Sequence, residues 1–306
     1  MAHVDPELVQ DDPASQQGWR HDYVLTNGVR LHYVEAGDPD GELVLLLHGF
    51  PECWYSWRLQ IDPLAERGLR VVAVDLRGFG RSEKPAGVSA YTLTTLAADV
   101  VGCVAQLNHG ERAAAVIGHD WGGTIAWSVG SLYPHSTRRL AIANCPPGYA
   151  LRRAWRIPRQ LLRSWYIFFF QVPRLPELIL RLDNFRFVDQ SLAPARQRNP
   201  RGVRPQDIAY VRTEMTRPGA LTSGLNYYRA LVRLRPADLR RLEQPVSVPT
   251  LLIWGDQDPY IDVRLTRDFL RWAPAGRLVH LPEAGHFSHQ EEPARVNQLL
   301  IEWLAA

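Results

Sequence analysis

The sequence predicts an α/β fold: a mostly parallel central sheet with helices on both faces and an inserted helical segment. Short apolar runs suited to buried strands alternate with helical stretches through the first 145 residues. A hairpin signal, Asn27-Gly28, lies between two early runs of strand-forming residues. The alternation stops at about Pro146 and resumes after about Pro249. Regular alternation of strands and helices is typical of a parallel sheet wrapped by helices.

Each element follows from its own local pattern. Strands are expected over 23–26 and 29–34, on either side of the hairpin turn, and over 43–47, 71–74, 113–117 and 140–143. Helices are expected near 56–67, over 93–107 and over 122–133, the last of them stopped by Pro134. Strands over 250–254 and 277–281 follow the interruption. In such sheets the functional residues gather at the carboxyl ends of the strands.

The interruption itself is helical in character. Between Pro146 and about Pro249 we find no convincing strand, only arginine-rich and aromatic-rich stretches broken repeatedly by proline. We therefore predict a helical cap over the active site. The predicted division is an α/β core over 1–145, a cap over 146–248 and the remainder of the core over 249–306.

Composition limits the range of functions. The chain has 306 residues, 46% of them hydrophobic and 22% charged, which is ordinary for a globular protein with one large core. A net charge of +3 without any base-reading motif argues against nucleic-acid binding. Three scattered cysteines lack metal-ligand spacing, so we expect reduced thiols, a cytoplasmic location, no metal and no cofactor. Residues 1–12 are polar and acidic, and no apolar run approaches membrane-spanning length, so neither a signal peptide nor a membrane span is expected.

The most informative motif is Gly118-His119-Asp120-Trp121-Gly122, between the strand at 113–117 and the helix after it. A glycine-flanked turn of this kind is a nucleophile elbow, which normally carries serine. Here Asp120 takes that position. A carboxylate is already ionised at neutral pH and needs no base to activate it. Because its attack on an sp³ carbon bearing a leaving group gives an ordinary alkyl ester, the sequence predicts that electrophile, with water later releasing the ester.

Release of an ester requires a base and an acid that orients it. In folds that carry a nucleophile elbow of this kind, the acid and the base usually follow the nucleophile in the chain, at the ends of the last two strands. His286 follows the strand at 277–281 and is our candidate base. Asp258 follows the strand at 250–254 and is our candidate acid, with Asp256 in the same loop as the alternative. His48 precedes the nucleophile and is interpreted as structural.

Two further groups complete the predicted site. The turn His48-Gly49-Phe50-Pro51 follows the strand at 43–47, so the backbone N–H groups of Phe50 and Trp121 are the candidate oxyanion hole. If Asp120 opens a ring, the departing oxygen needs a donor from the opposite side, and tyrosine suits this task because it is neutral at pH 7. The predicted cap offers five tyrosines: Tyr149, Tyr166, Tyr210, Tyr227 and Tyr228.

These motifs together resemble the α/β-hydrolase-fold epoxide hydrolases, over nearly the whole chain from about Tyr23. The resemblance implies an α/β-hydrolase fold and conversion of an apolar epoxide to a vicinal diol through an ester on Asp120, with epoxide and water as the small-molecule partners. It also implies that two cap tyrosines hold the epoxide oxygen. These are Tyr166, in the run from Tyr166 to Pro173, and Tyr228, in Asn226-Tyr227-Tyr228-Arg229, with Tyr227 as the alternative.

The substrate pocket and two rival functions stay open at this point. Candidate pocket residues are aromatic: Phe50, Trp121, Trp155, Trp165, Phe168 and Phe170. Haloalkane and haloacid dehalogenases use the same nucleophile, and Trp121 matches one halide donor of the first group. Phe50, however, stands where their second donor usually lies, and Trp121 offers no carboxylate clamp of the kind that the second group uses. A non-catalytic ligand-binding module of the same fold is the other alternative. Nothing in the sequence indicates an oligomeric state.

Overall fold

A computed structural model describes residues 17–147, 154 and 156–306 of the chain. Residues 1–16, Tyr149 and Trp155 lie outside these ranges. The expectations made for them are therefore untested.

The described residues form one eight-stranded sheet in the order β1-β2-β4-β3-β5-β6-β7-β8. The strands are β1 (Arg20–Thr26), β2 (Val29–Gly37), β3 (Glu42–Leu47), β4 (Leu69–Val74), β5 (Ala113–His119), β6 (Thr137–Ala143), β7 (Thr250–Gly255) and β8 (Gly276–Leu281). Strand β2 pairs antiparallel with β1 and with β4, and every other pair is parallel. The predicted mostly parallel sheet is confirmed, with each predicted strand extended by up to three residues at its ends.

The early hairpin forms at the predicted turn. Asn27 and Gly28 both have positive φ, 45° and 71°, as a two-residue hairpin turn with a type I′ backbone requires. This turn sets the register of β1 against β2, in which Thr26 lies opposite Val29 and Arg20 opposite Glu35. This hairpin adds the antiparallel edge of the sheet.

Helices of the core are α1 (Arg58–Ala65), α2 (Leu93–Leu107), α3 (Trp121–Leu132), α11 (Phe269–Trp272), α12 (Ser288–Glu291) and α13 (Pro293–Ala305). The helix expected near 56–67 is shorter than predicted because a 3-10 turn, Trp54–Trp57, precedes α1. Strands β3 and β5, near the centre of the sheet, are almost entirely buried, and their apolar side chains form the middle of the core.

Between β6 and β7 the described residues contain no strand. They form seven helices: α4 (Pro158–Arg163), α5 (Trp165–Phe169), α6 (Leu175–Leu182), α7 (Arg186–Arg198), α8 (Pro205–Thr216), α9 (Ala220–Leu231) and α10 (Pro236–Leu242). Four of them begin with proline in the first turn, where its missing N–H costs nothing. The predicted helical insertion is confirmed as part of this fold. Within the described residues, no helix is both long and apolar enough to cross a bilayer.

Candidate active site

Asp120 occupies a sharp turn between β5 and α3. Its φ of 50° and ψ of −116° lie in a region that residues other than glycine rarely adopt, and such strain clusters at functional sites. A Cβ atom on Gly118 would collide with the carbonyl oxygen of Gly122. A Cβ on Gly122 would collide with that of Leu47. The elbow therefore needs both flanking glycines for close backbone approach.

The carboxylate of Asp120 lies between the turn after β3 and the histidine after β8. The Phe50 N–H donates to its Oδ1 at 2.9 Å, and its Oδ2 lies 3.6 Å from Nε2 of His286. Burial opposes ionisation, but His286 and the Phe50 N–H outweigh it and lower the pKa of Asp120 below its ordinary value. The carboxylate is therefore ionised at neutral pH.

Asp258 lies directly behind the histidine. Nδ1 of His286 is 2.7 Å from Oδ2 of Asp258, and both side chains are buried. The N–H groups of Tyr260 and Ile261 donate to the other oxygen, Oδ1, at 2.7 and 2.9 Å. Asp256 instead pairs with His280 at 2.6 Å, where both side chains are at least 30% exposed. Of the two candidate acids, the loop after β7 thus brings only Asp258 to His286.

His286 sits between two carboxylates. Burial alone lowers its pKa, but the negative charges of Asp258 and Asp120 prevail and raise the pKa well above its ordinary value. A histidine held by Asp258 on one nitrogen presents its other nitrogen, Nε2, toward Asp120. This geometry is the one expected of the predicted nucleophile, base and acid.

An aromatic cluster covers Asp120. The ring of Tyr228 lies 5.0 Å from that of Trp121, 5.5 Å from Phe50, 5.1 Å from Phe170 and 5.8 Å from Tyr166. Burial, together with the nearby charge of Asp120, raises the pKa of both tyrosines. Both phenols therefore stay protonated at neutral pH and can act as donors.

The other described tyrosines of the insertion direct their side chains differently. Tyr227, adjacent to Tyr228, is fully buried, and its ring packs on that of Trp121 at 5.3 Å between centroids. Its hydroxyl, however, donates to the carbonyl oxygen of Arg77 at 2.7 Å. Tyr210 packs against Tyr55, with 4.6 Å between ring centroids.

Two pocket candidates lie outside the cluster. The side chains of Trp165 and Phe168 are 64% and 51% exposed, which does not fit the expectation that they line an enclosed pocket. Helix geometry explains the difference. Tyr166 and Phe170 are four residues apart and turn the same way, inward, which directs Trp165 and Phe168 outward. Of the aromatic candidates, Phe50, Trp121 and Phe170 do lie around Tyr228.

Several supporting residues were not identified from the sequence. Asn144, at the end of β6, donates to Oδ2 of Asp258 at 2.9 Å. Behind His286, Nε2 of His119 donates to the carbonyl oxygen of His286 at 2.9 Å, and its Nδ1 lies 3.1 Å from Glu52. All three side chains are buried. Their position directly beside the recognised motifs was the available signal.

His48 has the bonding pattern of a structural residue. Its Nδ1 donates to the carbonyl oxygen of Gly49 at 2.8 Å, and its Nε2 accepts from the N–H of Leu76 at 3.1 Å. Both nitrogens are thus engaged with backbone. Burial lowers the pKa of His48, which favours the neutral form that this pattern needs.

One group within the described residues has the ligand types and spacing that a metal ion requires. Donor atoms of Glu52, His119 and His289 all lie within 4.8 Å of one another, and all three residues are buried. Glu52 is already engaged with His119 and accepts from Nε2 of Gln290 at 2.6 Å. The cluster lies behind His286 and does not face the aromatic cluster over Asp120.

Known proteins match this arrangement closely. A family model described as the α/β hydrolase fold matches residues 42–293. Over 94% of this chain and 98% of its own length, the AB hydrolase superfamily protein YfhM of Bacillus subtilis is 38% identical. Epoxide hydrolase 4 of Mus musculus is 36% identical over 99% of this chain and 84% of its own length. The crystal structure of epoxide hydrolase A from Mycobacterium thermoresistibile superposes with a TM-score of 0.80 at 32% identity, covering 94% of this chain and 98% of that one.

The chain belongs to the α/β-hydrolase fold family. Within that family, the sequence resemblance to the epoxide hydrolases is confirmed by relatives and structures of that name.

Proposed function

We propose that the protein hydrolyses an apolar epoxide to a vicinal diol through a covalent ester on Asp120. The observation that carries this proposal is an ionised carboxylate at the nucleophile elbow, with His286 on one side and two tyrosines above it, of which Tyr228 is buried and Tyr166 half-buried. Relatives and solved structures named as epoxide hydrolases support the same reaction class.

The first half-reaction breaks a carbon–oxygen bond of the ring. An oxygen of Asp120 bonds to one oxirane carbon while the bond from that carbon to the ring oxygen breaks. Tyr166 and Tyr228 hydrogen-bond the ring oxygen, and one of them supplies the proton that the alkoxide takes. The product is a hydroxyalkyl ester of Asp120. Charge develops on the ring oxygen only as the bond breaks, so these donors act mainly on the transition state.

The second half-reaction uses a change in charge that the first one causes. When Asp120 becomes an ester, His286 loses one of the two carboxylates that raise its pKa. Its pKa therefore falls, and the proton that the imidazolium releases returns to the tyrosinate left by the first half-reaction. The neutral imidazole is then able to take a proton from water. The hydroxide equivalent attacks the ester carbonyl, whose oxyanion accepts from the N–H groups of Phe50 and Trp121. Collapse releases the diol and restores the carboxylate.

The helical insertion provides the upper wall of the proposed site. Tyr166 lies on α5, Phe170 at its C-terminal end and Tyr228 on α9. Asp120 and His286 instead follow strands β5 and β8 of the sheet. We accordingly retain the division into a core over 1–145 and 249–306 and a cap over 146–248 as a proposal. The aromatic cluster favours an apolar epoxide, because its rings offer few polar groups to a substrate.

The test separates the two half-reactions with two variants. Asp120→Asn removes the nucleophile and is expected to abolish diol formation from styrene oxide. His286→Gln keeps the nucleophile but removes the base, so we expect the intact protein to gain the mass of one epoxide. His280→Gln is the matched control, because His280 also pairs with an aspartate but lies at the surface.

The control should turn over normally and form no adduct. If His286→Gln reacts with epoxide and no ester accumulates, the covalent scheme is wrong. Halide release from haloalkanes, without diol formation from epoxides, would instead favour the dehalogenase alternative.

A further inference from the structure

Helix α6 presents its apolar side outward. Leu175, Leu178, Ile179 and Leu182 are 43, 55, 43 and 77% exposed. Their spacing of i, i+3, i+4 and i+7 places them on one face of the helix. A surface helix ordinarily turns such a face toward the core, so the outward orientation requires an explanation.

The orientation of α6 is fixed from its opposite side. Both carboxylate oxygens of Glu177 accept from Arg229 on α9, at 2.7 and 3.0 Å, and Pro176 is buried. Arg229 also donates to the carbonyl oxygen of Phe170 at 2.9 Å. A buried, bidentate ion pair is costly to break, so the apolar face cannot simply rotate inward.

We call the four exposed residues of α6 the outer apolar face. Other apolar side chains of the insertion are exposed as well: Leu162 at the end of α4, Trp165 on α5 and Val172 in the following turn are 77, 64 and 40% exposed. Helix α5 therefore carries Tyr166 on its inner side and Trp165 on its outer side.

Positive charge is concentrated on the same segment. Residues 156–186 contain six arginines and two acidic residues, a net charge of +4, whereas the whole chain carries only +3. The remainder of the chain is therefore slightly negative. One of the two acids, Glu177, is occupied by Arg229. The arginines, all at least partly exposed, are Arg156, Arg159, Arg163, Arg174, Arg181 and Arg186.

We propose that the outer apolar face docks on the surface of an anionic lipid bilayer. Apolar side chains flanked by arginines are the combination that lies in a membrane interface, where leucines enter the acyl boundary and cations meet anionic headgroups. A tryptophan such as Trp165 is suited to the same depth. The mode is peripheral, because within the described residues no helix is able to span a bilayer.

Docking of this kind extends beyond the hydrolytic reaction and does not depend on it. Binding to vesicles is measurable without any turnover, so its failure and a failure of the proposed reaction are separate results.

Vesicle flotation tests the proposal with the full chain. Wild-type protein is mixed with vesicles of phosphatidylcholine alone, or of phosphatidylcholine with one third phosphatidylglycerol. We expect binding to the anionic vesicles only, weakened by salt. Leu178→Ser/Leu182→Ser should weaken binding about a hundredfold, about tenfold per leucine. Arg174→Gln/Arg181→Gln should weaken it about 25-fold, about fivefold per arginine.

Matched controls come from exposed residues elsewhere on the chain. Leu25 and Leu270 are 70 and 58% exposed, so Leu25→Ser/Leu270→Ser makes the same change outside the outer apolar face. Arg67→Gln/Arg112→Gln is the corresponding charge control, since both arginines are exposed. Both controls should bind as the wild type does, and circular dichroism should show all variants folded.

Three results would overturn the proposal. Wild-type protein that does not float with anionic vesicles is one, and equal weakening by the control variants is another. The third is a wild-type dimer in analytical ultracentrifugation that Leu178→Ser/Leu182→Ser converts to monomer, since the face would then bind a second copy of this chain.

Discussion

Two adjacent tyrosines on α9 allow a sharp test of which hydroxyl meets the substrate. Tyr228 faces Tyr166 and Trp121 over the nucleophile, whereas the hydroxyl of Tyr227 is committed to the backbone carbonyl of Arg77 at 2.7 Å. Substituting phenylalanine at either position removes one oxygen atom and little else. The structure predicts opposite outcomes for the two substitutions.

Tyr228→Phe removes one of two proposed donors to the ring oxygen. A hydrogen bond to a charged group contributes about 1.5–3 kcal/mol, so kcat/KM should fall about 10- to 150-fold while Tyr166 sustains the remaining activity. Stability should fall less than it does in Tyr227→Phe, because the Tyr228 hydroxyl adjoins the Trp121 side chain, whereas that of Tyr227 satisfies a buried backbone carbonyl. Tyr166→Phe should behave similarly, and the double variant should lose more than either single one.

Tyr227→Phe should lower the stability of the protein and leave its activity nearly unchanged. It leaves the buried carbonyl oxygen of Arg77 without its partner, which costs about 1–3 kcal/mol of unfolding free energy. Diol formation per folded molecule should stay within about twofold of wild type, because a residue outside the reacting site removes little transition-state stabilisation.

Steady-state kinetics with styrene oxide and urea denaturation measure both quantities on the same preparations. The reasoning is refuted if Tyr227→Phe loses activity while Tyr228→Phe keeps it, because the donor would then be the other tyrosine. It is equally refuted if Tyr166→Phe and Tyr228→Phe together leave kcat/KM unchanged.

Three further predictions concern the histidine and its partners. Asp258→Asn should lower turnover about 10³- to 10⁴-fold by disturbing the His286 tautomer, whereas Asp256→Asn, at the surface, should stay near wild type in the same diol assay. Asn144→Ala removes the donor at 2.9 Å from Asp258, so ester release should slow about tenfold or more while the rate of ester formation stays unchanged. Rapid quench with mass spectrometry measures both rates. Asp120→Asn should lower the pKa of His286 measured by NMR, because it removes one of the two negative charges that raise it; an unchanged or higher value would contradict the electrostatic account of ester release.

Much of the fold was predictable from the sequence because its signals are local. The apolar runs of β3 to β7 each end at glycine or at a polar residue, and the Asn27-Gly28 turn fixes the first hairpin. Gly118 and Gly122 indicate the elbow in the sequence, because only glycine tolerates backbone atoms as close as those of Gly122 and Leu47 are to these two positions. The structure brings His286 to Asp120, Asp258 to His286 and Tyr166 to Tyr228, whereas Trp165 and Phe168 lie outside this group.

Other features depended on tertiary geometry. Asp256 and Asp258 occupy one loop, and only the turn that aims two N–H groups at Asp258 distinguishes them. Asn144 follows β6, and its donation to Asp258 arises because β6 and β7 are neighbours in the sheet.

The outward orientation of Trp165 and Phe168 could not be predicted from the sequence, for a different reason. Nearly every residue from Trp165 to Phe170 is aromatic or aliphatic, so the run has no polar side to indicate which face turns inward. Only the packing of Tyr166 and Phe170 against Tyr228 shows which side of α5 faces inward.

The covalent role of Asp120 is tested most directly by a single turnover in ¹⁸O-water with enzyme in excess over epoxide. Attack by the carboxylate predicts that the first diol carries no heavy oxygen and that mass spectrometry of the Asp120 peptide finds the label in its side chain. A labelled diol with an unlabelled Asp120 would show that water attacks the epoxide directly and would contradict the account.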